Sequence, residues 1–159
     1  MDVKTFFWSI LLSLVPISEL RGGIPYGYFL GIKWYVITPV CVAANALVPF
    51  LAWWFLEGVN ATLCKIPVYR RWFDRFLVKA QVKVAPKIKK YGYLGLMLFV
   101  AVPLPVTGAW TGTVAAWVLG LDKRKAQKYI MLGVCIAGAI VIAICTGGKG
   151  VGSVFIKHT

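Results

Sequence analysis

Two ionisable residues, Glu19 and Arg21, lie in a part of the sequence where charge is otherwise rare. The segment VPISELRGGIPYGYFLG (Val15–Gly31) separates the apolar run Phe6–Val15 from the longer apolar run Trp34–Leu56. An isolated ion at the centre of a bilayer costs at least about 2.5–3.5 kcal/mol on insertion scales. The two residues therefore predict either a structural ion pair or a binding site for a charged ligand.

The residue types favour phosphate as that ligand. Arg21 has a planar guanidinium that matches phosphate, and Gly22 and Gly23 would let a headgroup approach backbone N–H groups at a helix N-terminus. Glu19 could take up a proton as the phosphate leaves, because burial disfavours the charged form of a carboxyl group. The alternative, a structural pair, requires an irregular backbone, since residues two apart on a regular helix do not face each other.

The composition is that of an integral membrane protein. The chain has 159 residues, of which 60% are hydrophobic and only five are acidic, and its mean hydropathy is +0.78. A soluble domain of this length is closer to half apolar. We therefore expect a single all-α membrane domain over residues 1–159.

The sequence offers little for catalysis or metal binding. Four cysteines show no CxxC or Cys/His spacing, and His158 is the only histidine. We find no nucleophile–base pair and no paired carboxylates. We expect no enzyme activity, no metal and no cofactor.

The chain contains two similar halves at an offset of 89 residues. PISELRGGIPYGYFLGIK (Pro16–Lys33) aligns without a gap on PVTGAWTGTVAAWVLGLD (Pro105–Asp122), with four identical positions and five similar ones. Each copy follows a short apolar run and precedes a long one. The predicted organisation is repeat 1 over residues 5–56, a linker over 57–93, repeat 2 over 94–147 and a tail over 148–159.

Each repeat begins with a 28-residue segment, 5–32 or 94–121, that predicts a re-entrant helical hairpin. A spanning helix needs about 20 apolar residues. Here prolines and glycines divide each segment into halves of about 11 residues, or roughly 16 Å of helix. Broken backbone at mid-membrane survives only inside protein or beside a wet cavity. The interrupting residues are Pro16, Gly22, Gly23, Pro25, Pro103, Pro105, Gly108 and Gly112.

The basic residues decide the topology. The net charge is +13, and nine of the 18 basic residues lie within Lys65–Lys90, with four more within Lys123–Lys128. If each repeat contains a hairpin plus one transmembrane helix, both clusters share one face, which the positive-inside rule makes cytoplasmic. Both termini then lie outside a multi-pass cell-membrane protein, and the repeats are inverted, as in secondary transporters. We expect these clusters to meet membrane lipid rather than nucleic acid.

The linker predicts a basic amphipathic helix on the cytoplasmic leaflet, with anionic lipid as its partner. Like charges four residues apart on a helix repel one another, so an anionic surface is the simplest explanation for such a stripe. The alternative is a solvated helix packed on its own protein. The stripe consists of Arg71, Arg75, Lys79, Lys83 and Lys87.

Other polar residues are candidates for the substrate site. Asn45, inside the first long apolar run, could line a cavity or bond to a neighbouring helix. Gly133 and Ala137 form a small-xxx-small face that suits either an internal contact or a homodimer. Thr107, Trp110 and Thr111 of the second hairpin could form the wall of the site that faces the first hairpin. The predicted substrate-binding residues are Ser18, Glu19, Arg21, Gly22, Gly23, Asn45, Thr107, Trp110 and Thr111.

The motifs SELRGGIPYG and PLPVTGAWTG (Pro103–Gly112) resemble the small multidrug export protein family, a short-chain branch of the DedA/VTT (SNARE-associated) superfamily. The resemblance covers nearly the whole chain. It implies two facing re-entrant hairpins and transport of lipid phosphates, such as undecaprenyl phosphate, or of phospholipids. Two departures stand out: Val106 replaces a usual glycine, and Leu94–Leu121 lacks the charged arginines of DedA proteins.

Three functions follow from these patterns. The first is translocation of a lipid phosphate across the bilayer through the hairpins. The second is proton-coupled export of small cationic drugs, in which one carboxylate serves protons and cations in turn, although a nearby Arg21 would repel a cation. The third is a membrane scaffold that transports nothing.

Overall fold

The computed structural model describes residues 3–59, 70, 71, 73–75, 78, 82, 85, 86, 88, 90–104 and 107–156. All regular secondary structure in this part of the chain is helical, which confirms the predicted all-α class. A π-helical turn, Phe55–Val59, continues α4. The helices are α1 (Val3–Leu14), α2 (Glu19–Phe29), α3 (Trp34–Ala46), α4 (Val48–Trp54), α5 (Tyr93–Ala101), α6 (Ala109–Val118) and α7 (Lys123–Ile156).

Two stretches of helix, Trp34–Gly58 and Lys123–Gly147, are long and apolar enough to cross a membrane. The apolar run that predicts the second of these helices extends from Tyr129 to about Cys145, so α7 is longer than this run at both ends. Residues 148–156, which the sequence assigned to a tail, are helical.

Helix α1 has its polar side inside and its apolar side outside. Its buried residues are Thr5, Ser9 and Ser13, whereas Phe7 is 62% exposed and Trp8 50% exposed. In water this arrangement would leave a large apolar surface exposed. Lipid is the solvent in which it is favourable.

The chain divides into two compact units. The first unit consists of residues 1–45 and 135–159, and the second unit of residues 46–134. The two division points, after Asn45 and after Val134, lie 89 residues apart, which is the offset of the sequence repeat. Each unit therefore contains one helical hairpin, the first half of the long helix that follows it, and the second half of the other long helix.

The backbone repeats at the same offset. The α5, α6 and α7 helices begin 90, 90 and 89 residues after α1, α2 and α3. Gly31 (φ 94°) and Gly120 (φ 65°) follow α2 and α6 with the positive φ that glycine adopts freely. Each donates to the carbonyl three residues earlier, and each next residue donates to the carbonyl five residues earlier, which is a Schellman end. The orientation of the copies in the membrane stays a prediction.

The first hairpin turns at a different place from the one predicted. The reversal occupies Val15–Ser18, whereas Gly22, Gly23 and Pro25 lie inside α2. The prediction that these three residues interrupt the helix is therefore wrong. A Cβ atom on Gly23 would clash with Ser13 Oγ and lie 2.5 Å from the Ser9 carbonyl oxygen, so this glycine permits close packing of α2 on α1.

The second hairpin breaks between α5 and α6, where Pro103 and Gly108 were predicted to interrupt it. Pro105 lies outside the described residues, and Gly112 is inside α6 rather than at the break. A Cβ atom on Gly112 would lie 2.7 Å from Val100 Cγ2, again a packing role. The four hairpin helices have 12, 11, 9 and 10 residues, each short of a full bilayer crossing. Whether the hairpins re-enter the membrane stays a prediction.

The long helices carry features that the sequence left open. Gly133 makes an internal contact, since its Cβ position is 2.7 Å from the Met97 carbonyl oxygen in the second unit. Trp34 and Tyr35 are exposed at the start of α3, and Trp54 is exposed at the end of α4. These three suit aromatic belts at the membrane interface. Trp53 is buried at 3% exposure and does not belong to the belt.

Candidate functional site

The turn between α1 and α2 places Glu19 in an unusual conformation. Glu19 is buried, at 6% exposure, and its φ is 48°. Among the described residues it is the only non-glycine with a positive φ, a conformation that costs an L-residue about 1–2 kcal/mol. Its N–H donates to the Val15 carbonyl oxygen (3.0 Å). Its position in the first turn of α2 favours a negative charge through the helix dipole.

The neighbours of Glu19 are less deeply placed. Ser18 and Arg21 are half-buried. The ion pairs found in the described part of the chain join Arg70 to Asp74 and Lys123 to Glu57. Arg21 belongs to neither of these two pairs, and a structural pair with Glu19 stays one of the two alternatives that the sequence left open.

Gly22 and Gly23 differ in their surroundings. A Cβ atom on Gly22 would meet only the side chain of Ser18, whereas one on Gly23 would meet α1 backbone as well as the side chain of Ser13. Gly22 is half-buried and Gly23 is buried. Gly22 therefore lies nearer the surface of the first unit, but its N–H already donates to the Ser18 carbonyl oxygen at 3.2 Å.

Asn45 bonds to a neighbouring helix, one of the two alternatives that the sequence left open. It is fully buried, and its Nδ2 donates to the Ser13 carbonyl oxygen at 2.6 Å. Cys41, one turn earlier on α3, contacts the Ser9 carbonyl oxygen through Sγ at 3.8 Å. These contacts join α3 to the polar face of α1.

Sequence reasoning missed that polar face. Thr5, Ser9 and Ser13 recur every four residues, and this spacing alone predicts one helical face. Ser9 and Ser13 each donate to the carbonyl oxygen four residues earlier, at 2.8 and 2.9 Å. With Asn45 and Glu19, they form a polar interior in the first unit.

The second hairpin places its predicted residues differently. Thr107 is used by its own loop: Oγ1 accepts from the Leu104 N–H (3.1 Å) and lies 2.7 Å from the Val102 carbonyl oxygen. Thr111 is buried and Trp110 half-buried on α6. Their substrate contacts, and an opposing wall, stay predictions.

Two polar residues of the interior are peculiar to the first copy. Glu19 and Asn45 correspond at the 89-residue offset to Gly108 and Val134, both of which are buried. The fold therefore forms without these two polar groups in its second copy. Burying them without need would be costly, which makes them the best candidates for a site.

The described part of the basic stripe has the pattern of an amphipathic helix. Arg71 and Arg75 are helical and exposed, and buried Phe73 lies between them. Lys79, Lys83 and Lys87 lie outside the described residues.

No group of His, Cys, Asp and Glu suited to a metal ion occurs in the part of the chain that the structure describes.

Comparison with known proteins gives one match. A family model described as "Putative small multi-drug export protein" matches residues 19–140, most of the chain, from Glu19 at the hairpin turn to the middle of α7. Comparisons with curated proteins and with solved structures gave no significant match. This match and the two apolar helices indicate a membrane location, and the chain belongs to the small multidrug export protein family.

Proposed function

We propose that the protein is a membrane exporter of small cationic molecules in which Glu19 binds protons and substrate in turn. The observation that carries the proposal is the carboxylate of Glu19, buried at 6% exposure and held with a positive φ. Strained, buried ionisable residues cluster at functional sites. The family's description, which names small multi-drug export, supports the same transport class.

The position of Arg21 removes one objection to this function. A guanidinium beside Glu19 would repel a cationic substrate, but Arg21 is half-buried whereas Glu19 is buried, and the ion pairs of the described residues do not include it. Residues two apart on a helix point in different directions. A cation at Glu19 need not meet the charge of Arg21.

Arg21 supports a second candidate, translocation of a lipid phosphate. A half-buried guanidinium outside the described ion pairs has donors free for a planar, bidentate contact with phosphate. The sequence resemblance to DedA/VTT proteins points the same way, toward undecaprenyl phosphate or a phospholipid. In this candidate Arg21, rather than Glu19, makes the main contact.

The proposal extends to topology and partners. Each hairpin re-enters the membrane, each repeat contributes one crossing in inverted orientation, and the linker lies on anionic cytoplasmic lipid with both termini outside. The protein is a transporter without enzymatic activity or cofactor. A homodimer remains one arrangement compatible with its exposed apolar helices.

Transport by purified protein in liposomes tests both candidates. Wild type, Glu19→Gln and Arg21→Lys are compared for efflux of a fluorescent cation driven by a pH gradient and for flipping of a fluorescent lipid phosphate. Cation export predicts efflux that Glu19→Gln abolishes and Arg21→Lys leaves intact. Lipid-phosphate transport predicts flipping that Arg21→Lys reduces. Wild-type protein that supports neither process would identify a scaffold and overturn both candidates.

A further inference from the structure

The amide of Asn45 is held by one hydrogen bond that also fixes its orientation. Nδ2 donates to the Ser13 carbonyl oxygen at 2.6 Å, and a rotated amide would bring two acceptors together there. Oδ1 is therefore directed elsewhere. It is buried and has no hydrogen-bond partner in the structure as described.

The helix break also leaves the backbone carbonyl of Asn45 without its usual hydrogen-bond donor. Pro49 has no N–H, so it cannot make the regular helical bond to the carbonyl of Asn45. The α3 helix ends at Ala46 and α4 begins at Val48. Asn45 therefore has an unpartnered side-chain oxygen, Oδ1. Its backbone carbonyl also lacks the regular helical donor.

Thr38 adds a second unpartnered oxygen to the same face of α3. Its Oγ1 is buried without a partner in the described structure, and it lies two helical turns before Asn45, roughly 10 Å away along the axis. Residues seven apart share a helix face. Two buried oxygens in a line suit a ligand that donates hydrogen bonds.

The fold itself does not require the amide. Asn45 corresponds at the repeat offset to Val134, which is buried at 1% exposure in the second copy. A shorter, apolar side chain fills that position. A buried acceptor left unpaired is unfavourable, so a ligand that pairs with it explains why asparagine stands there.

Asn45 and Glu19 border the same packed region of the first unit. Ser13, which holds Asn45, also meets the position of a Cβ on Gly23, and Gly23 lies one turn of α2, about 5.4 Å, beyond Glu19. From this we infer that Asn45 Oδ1 is a subsite for the N–H group of a cationic amine whose charge is held at Glu19. The inference rests on the proposed export function and narrows its substrate to amines that carry an N–H.

A pair of substrates and a pair of variants test the subsite. The substrates are a fluorescent tertiary amine, protonated at the working pH, and its N-methylated quaternary analogue, which has the same charge but no N–H. The variants are Asn45→Val and Asn45→Thr, which have nearly the same shape and both lack the bond to Ser13. Only threonine retains an oxygen at this position.

We expect Asn45→Val to lower transport of the tertiary amine relative to the quaternary analogue by about tenfold, the effect of one buried hydrogen bond. Asn45→Thr should recover part of that ratio. An unchanged ratio in both variants, with transport of both substrates retained, would overturn the subsite and leave the export function standing. Variants that both fail to fold would show that the amide is structural, which also overturns it. Wild type that transports neither substrate would overturn the export function first.

Discussion

Glu19 and Gly108 occupy the same position in the two halves of the chain, 89 residues apart, and both have a positive φ, 48° and 146°. Each lies where its hairpin turns into the second helix, α2 or α6. Glycine adopts such a conformation at little cost, whereas glutamate pays about 1–2 kcal/mol. The first copy has a carboxylate at a position where the backbone conformation favours glycine. Strained backbone conformations of this kind cluster at functional sites.

This relationship predicts how two substitutions at Glu19 will differ. Glu19→Gly and Glu19→Ala both remove the carboxylate, but only alanine keeps a Cβ at positive φ. We expect the glycine variant to be more stable than the alanine variant by about 1 kcal/mol. Both should lose transport. Melting temperatures of the purified proteins in detergent give the comparison, and equal stability of the two variants would contradict the strained backbone.

Two adjacent glycines should differ in how strongly the same substitution affects stability. Gly23→Ala would press a Cβ against the Ser9 carbonyl oxygen at 2.5 Å, and backbone on a packed helix cannot move aside cheaply. Gly22→Ala would meet only the side chain of Ser18, which can rotate. Alanine also has the higher helix propensity.

We therefore expect Gly23→Ala to destabilise the protein by about 1–3 kcal/mol and Gly22→Ala to change stability little. Thermal unfolding of the two variants beside wild type makes the measurement. A similar loss in both would mean that α2 does not pack closely on α1 at Gly23.

A polar cluster in the second unit joins distant parts of the sequence. Glu57 Oε1 accepts from Trp53 Nε1 at 2.8 Å, and Glu57 Oε2 pairs with Lys123 Nζ at 2.7 Å. Lys123 also lies 5.9 Å from the centre of the Trp53 ring. The contacts tie the π-helical turn at the end of the first span to the start of α7.

Glu57→Gln keeps an acceptor for Trp53 but loses the charge that pairs with Lys123, whereas Glu57→Ala loses both. We expect the alanine variant to melt at a lower temperature than the glutamine variant. The difference between wild type and glutamine should shrink in 1 M salt, which screens exposed pairs. If alanine and glutamine melt together, the Trp53 bond contributes nothing.

The sequence predicted the parts of the structure that rest on period and repetition. The apolar runs predicted both long helices, and the 89-residue repeat aligns Gly31 with Gly120, the two glycines that follow α2 and α6 in the structure. The sequence predicted the wrong position for the first turn. Glycine is typical both of a bend and of a close contact between helices, and only the neighbouring helix decides between the two. Gly23 proved to be a packing glycine, while the turn fell beside Glu19.

The candidate site was only partly predictable for a similar reason. Charge in an apolar segment made Glu19 a predicted site residue, and the structure shows only that this residue is buried. The four-residue spacing of Ser9 and Ser13 places them on one face of α1, but serines are common on exposed surfaces too, so the sequence did not show that this face lies inward. The bond from Asn45 to Ser13 joins residues 32 apart, a pairing that no local pattern contains.

The proposed topology makes the last prediction. Arg75 and Lys125 are exposed and belong to the two basic clusters, so one crossing per repeat puts both on the cytoplasmic face. Lys4, exposed at the start of α1, should lie on the other face. In a variant whose natural cysteines are replaced by alanine, single cysteines at these three positions are treated in intact cells with an impermeant maleimide. We expect labelling of Lys4→Cys alone, with Arg75→Cys and Lys125→Cys labelled only after the membrane is opened. Full crossing by both hairpins would instead separate Arg75 from Lys125, and labelling of just one of that pair in intact cells would rule out the re-entrant arrangement.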